Sequence, residues 1–436
     1  MLLNYFKIGF RNLWKNKRFS AINLLGLSIG MAAAILILLW IQHELSFDRF
    51  HKDQDRLYKA MNRAEFDGKL QVWSSTPKIL GPTLKAEYPD IEYMSRSNDS
   101  KVLLKVGDKK LNGSGMYADP DFLHMFSFKL KAGNIDKALD GTYSVIITES
   151  LAKKLFDDEN PMGKVISMNP YTEPSNFTVT GIMEDLPNNT QFAFEFLVPW
   201  KFMKVLGFDD EWWGNNSIAT FIKLKPTVNV AAFNEKIKNV TISHSNKSEE
   251  TEVFLHPVSK QRLWSQFENG INVGGRISLV RLFLVIGGLI LLIACINFMN
   301  LSTARSEKRA REVGIRKVVG AQRGSLIGQF LGESVMLTLI SGLVVLVIVQ
   351  LSLPAFNTLV SKVLFVPYNN LYFWLAALGF VLFTGLLAGS YPAFYLSSFR
   401  PIRVLKGAVH KVQALITPRK LLVVTQFTIA IVLIIS

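Results

Sequence analysis

The stretch ISLVRLFLVIGGLILLIACINFMNLSTARSEKRAREVGIRKVVGAQR, residues 277–323, decides the fold of this chain. Residues 277–302 are almost entirely apolar, and residues 305–323 carry seven lysine and arginine side chains. An apolar run of about 20 residues is long enough to cross a bilayer as a helix. A basic segment directly after such a run is typical of a loop on the cytoplasmic side. The stretch therefore predicts an integral membrane protein.

The distribution of charge supports this interpretation. The 436 residues are 49% hydrophobic, and the formal net charge is +15. Residues 43–276 hold 29 basic and 31 acidic side chains, whereas the rest of the chain holds 20 basic and three acidic ones. A nucleic-acid-binding protein would instead gather its basic residues on one folded face. Because the basic clusters adjoin apolar runs, the pattern points to a membrane and away from nucleic acid.

Four apolar runs have the length of a membrane span, and a fifth begins near the end of the chain. The predicted spans are residues 19–42, 277–302, 325–353 and 371–396, with an incomplete fifth at 421–436. The shortness of the fifth run favours a chain that is part of a longer, duplicated protein. The remaining segments are a cytoplasmic amphipathic helix at 1–18 that contacts membrane lipids, an extracytoplasmic domain at 43–276, a cytoplasmic segment at 303–324, an outer loop at 354–370 and a cytoplasmic linker at 397–420.

The extracytoplasmic part has the pattern of a mixed α+β domain. Residues 101–119 are expected to form a hairpin that turns at Gly107 and Asp108. Residues 144–156 follow the pattern of a strand and then a helix, and residues 177–187 alternate as a strand does. The predicted fold is thus an α-helical membrane bundle with a large α+β outer domain, which we expect to have two lobes.

The sequence contains no catalytic or metal-binding motif that fits its context. The segment GLSIG at 26–30 matches a hydrolase motif, but it lies inside a predicted span. No phosphate-binding G-x-x-x-x-G-K-[ST] sequence occurs. The six histidines lack ligand spacing, and Asp53 with Asp55 lacks the rest of a calcium loop. We therefore expect a protein that is not an enzyme and carries neither cofactor nor metal.

Two ionisable residues and three glycine pairs stand out inside the spans. Arg281 is expected near the outer end of its span, where its side chain can reach the headgroups. Glu333 lies deeper, and two roles remain open: a structural hydrogen bond, which we favour, or a place on a proton path. The G-x-x-x-G pairs, which allow helices to approach closely, are Gly26 with Gly30, Gly328 with Gly332, and Gly385 with Gly389.

The basic segment has features that a simple topological anchor does not need. Opposite charges lie four residues apart in three pairs, which favours a helix: Glu307 with Arg311, Lys308 with Glu312, and Glu312 with Arg316. Apolar residues such as Val313 and Val318 remain among the charges, and glycines at 314, 320 and 324 predict a bend or two short helices. A partner protein could exert force on a short helix of this kind.

Residues 303–334, TARSEKRAREVGIRKVVGAQRGSLIGQFLGES, resemble the signature of FtsX/MacB-type ABC transporter permeases. The segment GSYPAFYLSSFRPIRVLKG at 389–407 is similar to the end of the family's fourth span. Residues 144–169 and 177–192 are similar to its periplasmic core domain, and 418–436 to the start of the second half of duplicated members.

The resemblance implies a mechanism and a set of partners. It implies a separate ABC ATPase subunit that binds ATP and presses on the cytoplasmic segment, and an outer domain that moves to export or release a substrate. It also implies a dimeric permease arrangement in the bacterial inner membrane and a periplasmic or outer-membrane partner. The residues that would carry the coupling to the ATPase are Arg311, Glu312, Gly314, Arg316, Lys317 and Gly320.

Two other hypotheses come from different functional classes. A membrane-anchored sensor or scaffold would bind a ligand or a cell-wall enzyme with its outer domain and need no ATPase. Four spans and a charge-paired loop argue against it, because a sensor usually has fewer spans and a cytoplasmic output domain. A proton-coupled transporter that uses Glu333 would carry more polar residues inside its spans than we expect here.

Overall fold

The computed structural model describes residues 17–169, 173–304, 306–398 and 418–435. The predicted amphipathic helix at 1–18 and the predicted linker at 397–420 fall almost entirely outside these ranges. The chain divides into two compact units. The membrane unit comprises residues 1–42 and 280–436, and the outer domain comprises residues 43–279.

Within the described ranges the helices are α1 (Lys17–Leu45), α2 (Leu80–Glu87), α3 (Phe122–Met125), α4 (Glu149–Phe156), α5 (Lys201–Val205), α6 (Val230–Ile237), α7 (Val240–His244), α8 (Val258–Gln261), α9 (Ile277–Ala304), α10 (Ser306–Val318), α11 (Arg323–Val360), α12 (Leu371–Ser397) and α13 (Pro418–Ile435). The strands are β1 (Leu57–Phe66), β2 (Lys69–Trp73), β3 (Ile91–Val106), β4 (Lys109–Ala118), β5 (Leu130–Gly133), β6 (Ser144–Thr148), β7 (Val165–Asn169), β8 (Ser175–Met183), β9 (Phe196–Pro199), β10 (Ala219–Leu224), β11 (Glu252–Pro257), β12 (Gln266–Glu268) and β13 (Ile271–Gly274).

Four of the described helices, α1, α9, α11 and α12, are long and apolar enough to cross a membrane, and α13 is a shorter apolar helix. They coincide with the four predicted spans and the start of the fifth. Their shared core contains side chains from all four, such as Leu27, Cys295, Leu337 and Ala388. Because hydrogen bonding inside each helix satisfies its backbone, such helices are stable in hydrocarbon.

Helix α11 differs from its sequence-based boundaries. The predicted span ends at residue 353, but the helix passes through Pro354 and continues to Val360. It ends where Ser361 adopts a left-handed conformation and the Asn357 side chain pairs with both backbone groups of Leu364. The N–H groups of Ser361 and Lys362 donate to the Thr358 and Asn357 carbonyls at 3.3 and 3.1 Å, which satisfies carbonyls at the helix end. The Asn357 side chain fixes the turn that follows, so the helix ends there and not at the proline.

The outer domain is built on one sheet of eleven strands. The strands lie in the order β11-β1-β10-β3-β4-β9-β6-β8-β5, while β2 pairs with β1 and β7 pairs with β3 and β8. The predicted hairpin is present as β3 and β4, which meet at Val106 and Lys109. Gly107 takes a positive φ in the two-residue turn, a conformation that glycine adopts without strain.

Two lobes share this sheet. In the first lobe, β1, α2, the start of β3, β10, α6 and β11 form a β-α-β-β-α-β arrangement with all neighbouring strands antiparallel. The second lobe, which contains β4 to β9, is inserted between β3 and β10 and has its own core around Val145, Phe177 and Trp200. Strand β3 is 16 residues long, and it pairs with β10 at its start and with β4 further on.

Candidate functional site

The basic segment folds as helix α10, which runs through Gly314 without a break and ends at Val318. Gly320 has a φ of 96° and closes the helix. Its N–H donates to the Lys317 carbonyl at 3.1 Å, and the N–H of Ala321 donates to the Arg316 carbonyl at 3.0 Å. This bond pair is the Schellman motif, which places a glycine where the chain turns left-handed. Gly320 therefore ends the helix, and α11 begins three residues later.

One side of α10 packs on the ends of two spans. Val313 is only 2% exposed and lies in a small apolar cluster with Leu326 and Phe330 of α11 and Ala393 and Leu396 of α12. Gly314 is also buried. The segment is thus held against α11 and α12 by apolar contact as well as by chain connection.

Two of the basic residues strengthen this attachment. The Lys317 ammonium donates to the carbonyl oxygen of Ser397, the last residue of α12, at 2.7 Å. A lysine at this position satisfies an unpaired carbonyl and interacts favourably with the negative end of the helix dipole. The Arg316 guanidinium donates to the Gln329 side chain of α11 and to Glu312 within α10, the latter at 2.7 Å. The predicted ion pair between Glu312 and Arg316 is therefore present.

Three apolar side chains near the end of α10 are exposed. Ile315 is 56% exposed, Val318 65% and Val319 82%. The side chain of Arg311, another predicted coupling residue, lies outside the described part of the structure, as do the predicted pairs of Glu307 with Arg311 and Lys308 with Glu312.

Polar residues continue from this segment into the membrane unit. Gln329, which is 5% exposed, donates to the Glu333 carboxylate at 3.2 Å. Glu333 thus takes part in a hydrogen bond within α11, which is the role that we favoured. Arg281 lies in the first turns of α9 with an exposed side chain. Sequence reasoning did not single out Gln329, although its spacing of four residues from Glu333 was a usable signal.

The spans hold further buried polar residues that no sequence pattern predicted. In α1, Asn23 is 2% exposed. Asn300 of α9 donates to the Gln426 side chain of α13 at 3.4 Å, which joins the fifth apolar helix to the bundle. Isolated amides in apolar runs are hard to interpret from sequence, because their partners lie on other helices.

The six glycines of the G-x-x-x-G pairs have different surroundings. A Cβ on Gly30 would lie 2.3 Å from the Cβ of Ala294 in α9, and one on Gly389 would lie 2.6 Å from the Cβ of Ser334 in α11. Gly26 and Gly385 also face neighbouring helices at 3.0 to 3.3 Å. Gly328 and Gly332 have no described atom within 4 Å of such a Cβ. Helix packing at these last two positions stays a prediction.

A second candidate site is a cavity of about 530 Å³ in the outer domain. Arg96 is one of its lining residues; its guanidinium carbon lies 4.4 Å from the Trp200 ring centroid, and it donates two hydrogen bonds of 2.9 Å to Asp119. Arg96 also donates to Asp209 at 3.1 Å. The cavity is lined by Arg96, Asp119, Pro120, Thr142, Trp200, Lys201, Lys204, Val205 and Asp209. Because its arginine and carboxylates bind one another, we interpret the cavity as a structural junction between the start of β3 and the second lobe.

The acidic pair considered as a metal site has other partners. Asp53 binds Arg56 at 2.8 Å and Lys223 at 3.0 Å. The hydrogen bonds from Arg56 and Lys223 lower the pKa of Asp53 below its usual range. Among the described residues, no group of three His, Cys, Asp or Glu side chains is arranged to hold a metal ion.

Comparisons with known proteins identify the family of the chain. A profile of the MacB-like periplasmic core domain matches residues 20–240, and one of the FtsX-like permease C-terminal region matches residues 284–401. The chain is 28% identical over 351 residues to the ABC transporter permease YknZ of Bacillus subtilis (strain 168), and the alignment covers 78% of this chain and 76% of YknZ.

Two further similarities concern proteins named MacB. The chain is 23% identical over 430 residues to the macrolide export ATP-binding/permease protein MacB of Bdellovibrio bacteriovorus, covering 93% of this chain and 62% of that protein. The periplasmic region of MacB from Actinobacillus actinomycetemcomitans aligns at 19% identity with a TM-score of 0.34, covering 47% of this chain and 89% of that one. The first profile alone spans 221 of the 436 residues. The chain therefore belongs to the family of FtsX-like ABC transporter permeases that carry a MacB-like periplasmic core domain.

Proposed function

We propose that this chain is the permease subunit of an ABC transporter that works by transmitting movement across the membrane. A separate ATPase subunit hydrolyses ATP and presses on the segment 303–324. The spans convey this movement to the outer domain, which exports or releases an antimicrobial compound, a peptide or a lipoprotein on the far side. In this proposal the N-terminus is cytoplasmic, residues 43–276 are extracytoplasmic, and two permease units face each other as a dimer.

The attachment of α10 to two spans is the observation that carries this proposal. Val313 packs on both α11 and α12, Lys317 binds the end of α12, and Arg316 binds Gln329 of α11. A helix held at these points cannot shift without displacing the cytoplasmic ends of both spans, because packed elements move as units. The segment is therefore attached in a way that can transmit movement to both spans. A segment that only fixes the membrane topology would not need these contacts.

A capture experiment tests the proposal. The tagged full-length chain is cross-linked in membranes of its own host, purified in detergent, and analysed by mass spectrometry for proteins with a phosphate-binding ATPase motif. We expect enrichment of one ABC ATPase, and ATP hydrolysis in the purified complex. The variant Arg316→Glu with Lys317→Glu should lose the ATPase, whereas reversing two exposed outer-domain lysines, Lys101→Glu with Lys110→Glu, should keep it. Recovery of the intact permease with no ATPase would instead support the sensor or scaffold hypothesis.

A further inference from the structure

A two-stranded hairpin in the outer domain lies directly before the span α9. Strands β12 and β13 form a sheet of their own, apart from the eleven-stranded sheet. Asn269 and Gly270 form the turn with φ of 48° and 73°, the left-handed conformation that a two-residue hairpin turn requires. A Cβ on Gly270 would lie 2.3 Å from the Leu70 side chain of β2, so the turn is seated on the first lobe.

The two faces of β13 have different surroundings. The Asn272 amide lies on one face and donates to the Trp264 carbonyl at 2.7 Å. Because side chains alternate along a strand, Ile271 and Val273 lie on the other face, where they are 69% and 48% exposed. Glu268, which is opposite Ile271 on β12, is also exposed. The hairpin thus presents an apolar strand beside a polar one.

The base of the hairpin is bonded to the ends of two spans within the outer domain. The Glu44 carboxylate, in the last turn of α1, accepts two hydrogen bonds from Arg262 at 2.8 and 2.9 Å. The N–H of Ile277, the first residue of α9, donates to the Leu263 carbonyl at 3.0 Å. Strand β12 begins only three residues after Leu263. The end of α1 and the start of α9 therefore both lie beside the hairpin.

The connection from β13 to α9 is also short. Only Gly275 and Arg276 separate the strand from the helix, so the Cα atoms of Val273 and Ile277 lie within about 14 Å of each other. The headgroup layer on each side of the hydrocarbon is about 5–8 Å thick. The exposed face of β13 is therefore within reach of the bilayer surface at which α9 enters.

Two nearby residues are of the kinds that this surface favours. Trp264 is half-buried, and tryptophan is enriched at the level of the headgroups. Arg276, with its side chain 42% exposed, lies 3.6 Å from the Glu44 carboxylate. Because Arg262 already neutralises that carboxylate, Arg276 keeps a positive charge that attracts lipid phosphates.

A partner protein is the competing occupant of this face, because an open strand edge can accept another strand. Strand β13 has only four residues and offers few backbone bonds for such pairing. Lipid is favoured because the exposed apolar residues continue from β13 into the first turn of α9, where Leu279 is 46% exposed. A helix that crosses a membrane exposes such side chains to lipid.

From these observations we propose that the β12–β13 hairpin rests on the bilayer, on the side of the membrane that holds the outer domain. Ile271 and Val273 insert at the boundary between headgroups and acyl chains, as the apolar side of an interfacial element does. Glu268 and the open edge of β13 stay level with the headgroups, where water satisfies their polar groups. The hairpin thereby fixes the depth of the first turn of α9. This inference goes beyond the proposed function, because it requires no ATPase.

Quenching of a site-specific fluorophore tests the inference. In a Cys295→Ser background, which removes the single native cysteine, Val273→Cys is labelled with an NBD fluorophore. The full chain is placed in nanodiscs of phosphatidylethanolamine and phosphatidylglycerol, with or without a lipid that carries a nitroxide near the top of its acyl chain. The matched control is Val165→Cys on β7 of the second lobe, a strand valine that is 50% exposed.

We expect the nitroxide lipid to lower the emission of the probe at residue 273 at least about twofold and to leave the probe at residue 165 nearly unchanged, because only an inserted side chain contacts lipid. Iodide in the water should have the opposite preference. A probe at Glu268→Cys should be quenched more by iodide and less by the lipid than the probe at residue 273, since it lies on the polar strand.

Three results would overturn the inference. Strong iodide quenching at both 273 and 165 would show that the face of β13 is in water. Weak quenching at 273 by both reagents would show that protein covers the face, either a second copy of the chain or a partner. Equal lipid quenching at 268 and 273 would contradict the orientation of the hairpin. Each result leaves the proposed function intact, because the capture of an ATPase tests that function separately.

Discussion

The outer domain and the membrane unit satisfy their buried polar groups in different ways. In the outer domain, Arg96 of β3 binds Asp119, which is 23 residues away, and Asp209, which is 113 residues away. The Glu44 carboxylate is fully buried and accepts two hydrogen bonds from Arg262, at 2.8 and 2.9 Å. These ion pairs hold distant segments of the chain in fixed relative positions.

In the described spans, most buried polar side chains form their hydrogen bonds within a single helix. Hydroxyl groups donate to the carbonyl four residues earlier, as Ser334 does to Phe330 at 3.0 Å and Thr338 does to Ser334 at 2.8 Å. A longer-range contact joins Ser28 of α1 to the Ser341 carbonyl of α11 at 3.3 Å. Such helices are joined largely by close packing of small residues, as lipid-embedded helices are.

This difference indicates which of the two units resists deformation more strongly. Breaking a buried ion pair leaves an unpaired charge, so the outer domain should resist distortion. Packed helices that satisfy their own polar groups can shift against each other without exposing such charges. Considered separately, the outer domain should therefore be the stiffer unit, and the spans should shift against one another more easily.

The largest effect is expected for Arg96→Met in the outer domain. The variant leaves Asp119 and Asp209 facing each other, with side chains only 14% and 20% exposed. Removing one partner of such a buried network costs about 3–5 kcal/mol of the free energy of unfolding. Urea denaturation of the full chain in detergent, followed by tryptophan fluorescence, measures the loss. Arg49→Met removes the same charge from an exposed position and should change little. A loss for Arg96→Met below about 1 kcal/mol would mean that the outer domain is not held by this network.

A somewhat smaller effect concerns pH and His256 on β11. Burial lowers the pKa of His256 to about 4, against about 6.5 for an exposed imidazole. The unfolded chain therefore binds a proton between these values that the folded chain does not, and stability falls as the pH drops from about 6.5 to 4. At 1.36 kcal/mol per pKa unit, the loss approaches about 3 kcal/mol and then levels off. Comparing wild type with His256→Phe across this range isolates the effect. Parallel pH profiles for the two proteins would contradict it.

The smallest effect is expected for glycine substitutions in the membrane unit. Gly30→Ala would bring a methyl group to 2.3 Å from the Ala294 Cβ, so α1 and α9 must separate. Overpacking of this kind costs about 1–3 kcal/mol. Gly328→Ala meets no described atom within 4 Å and should be neutral or stabilising by up to about 1 kcal/mol, because alanine favours a helix. Thermal midpoints in detergent compare the two variants. Marked destabilisation by Gly328→Ala would indicate that this glycine packs against a second permease unit.

Much of the fold followed from local patterns. The apolar runs predicted the helices α1, α9, α11 and α12, because the length and hydropathy of a span are properties of a continuous segment. The hairpin at Gly107 and Asp108 and the strand–helix unit at 144–156 were equally local. The end of α11 was missed because the left-handed Ser361 and the turn held by the Asn357 side chain set it, and hydropathy reports neither.

Local sequence patterns were sufficient to predict a membrane protein with a large outer domain and a charge-paired helix between its second and third spans. The direction in which that helix faces depends on tertiary contacts. Helical spacing places Val318 opposite Val313, but it does not say which side meets the spans. That choice depends on the Ser397 carbonyl and Gln329, which lie 80 and 13 residues from Lys317 and Arg316. Contacts between distant segments form only in the folded chain, and here they bind Arg316 and Lys317 to the spans and leave Ile315, Val318 and Val319 exposed.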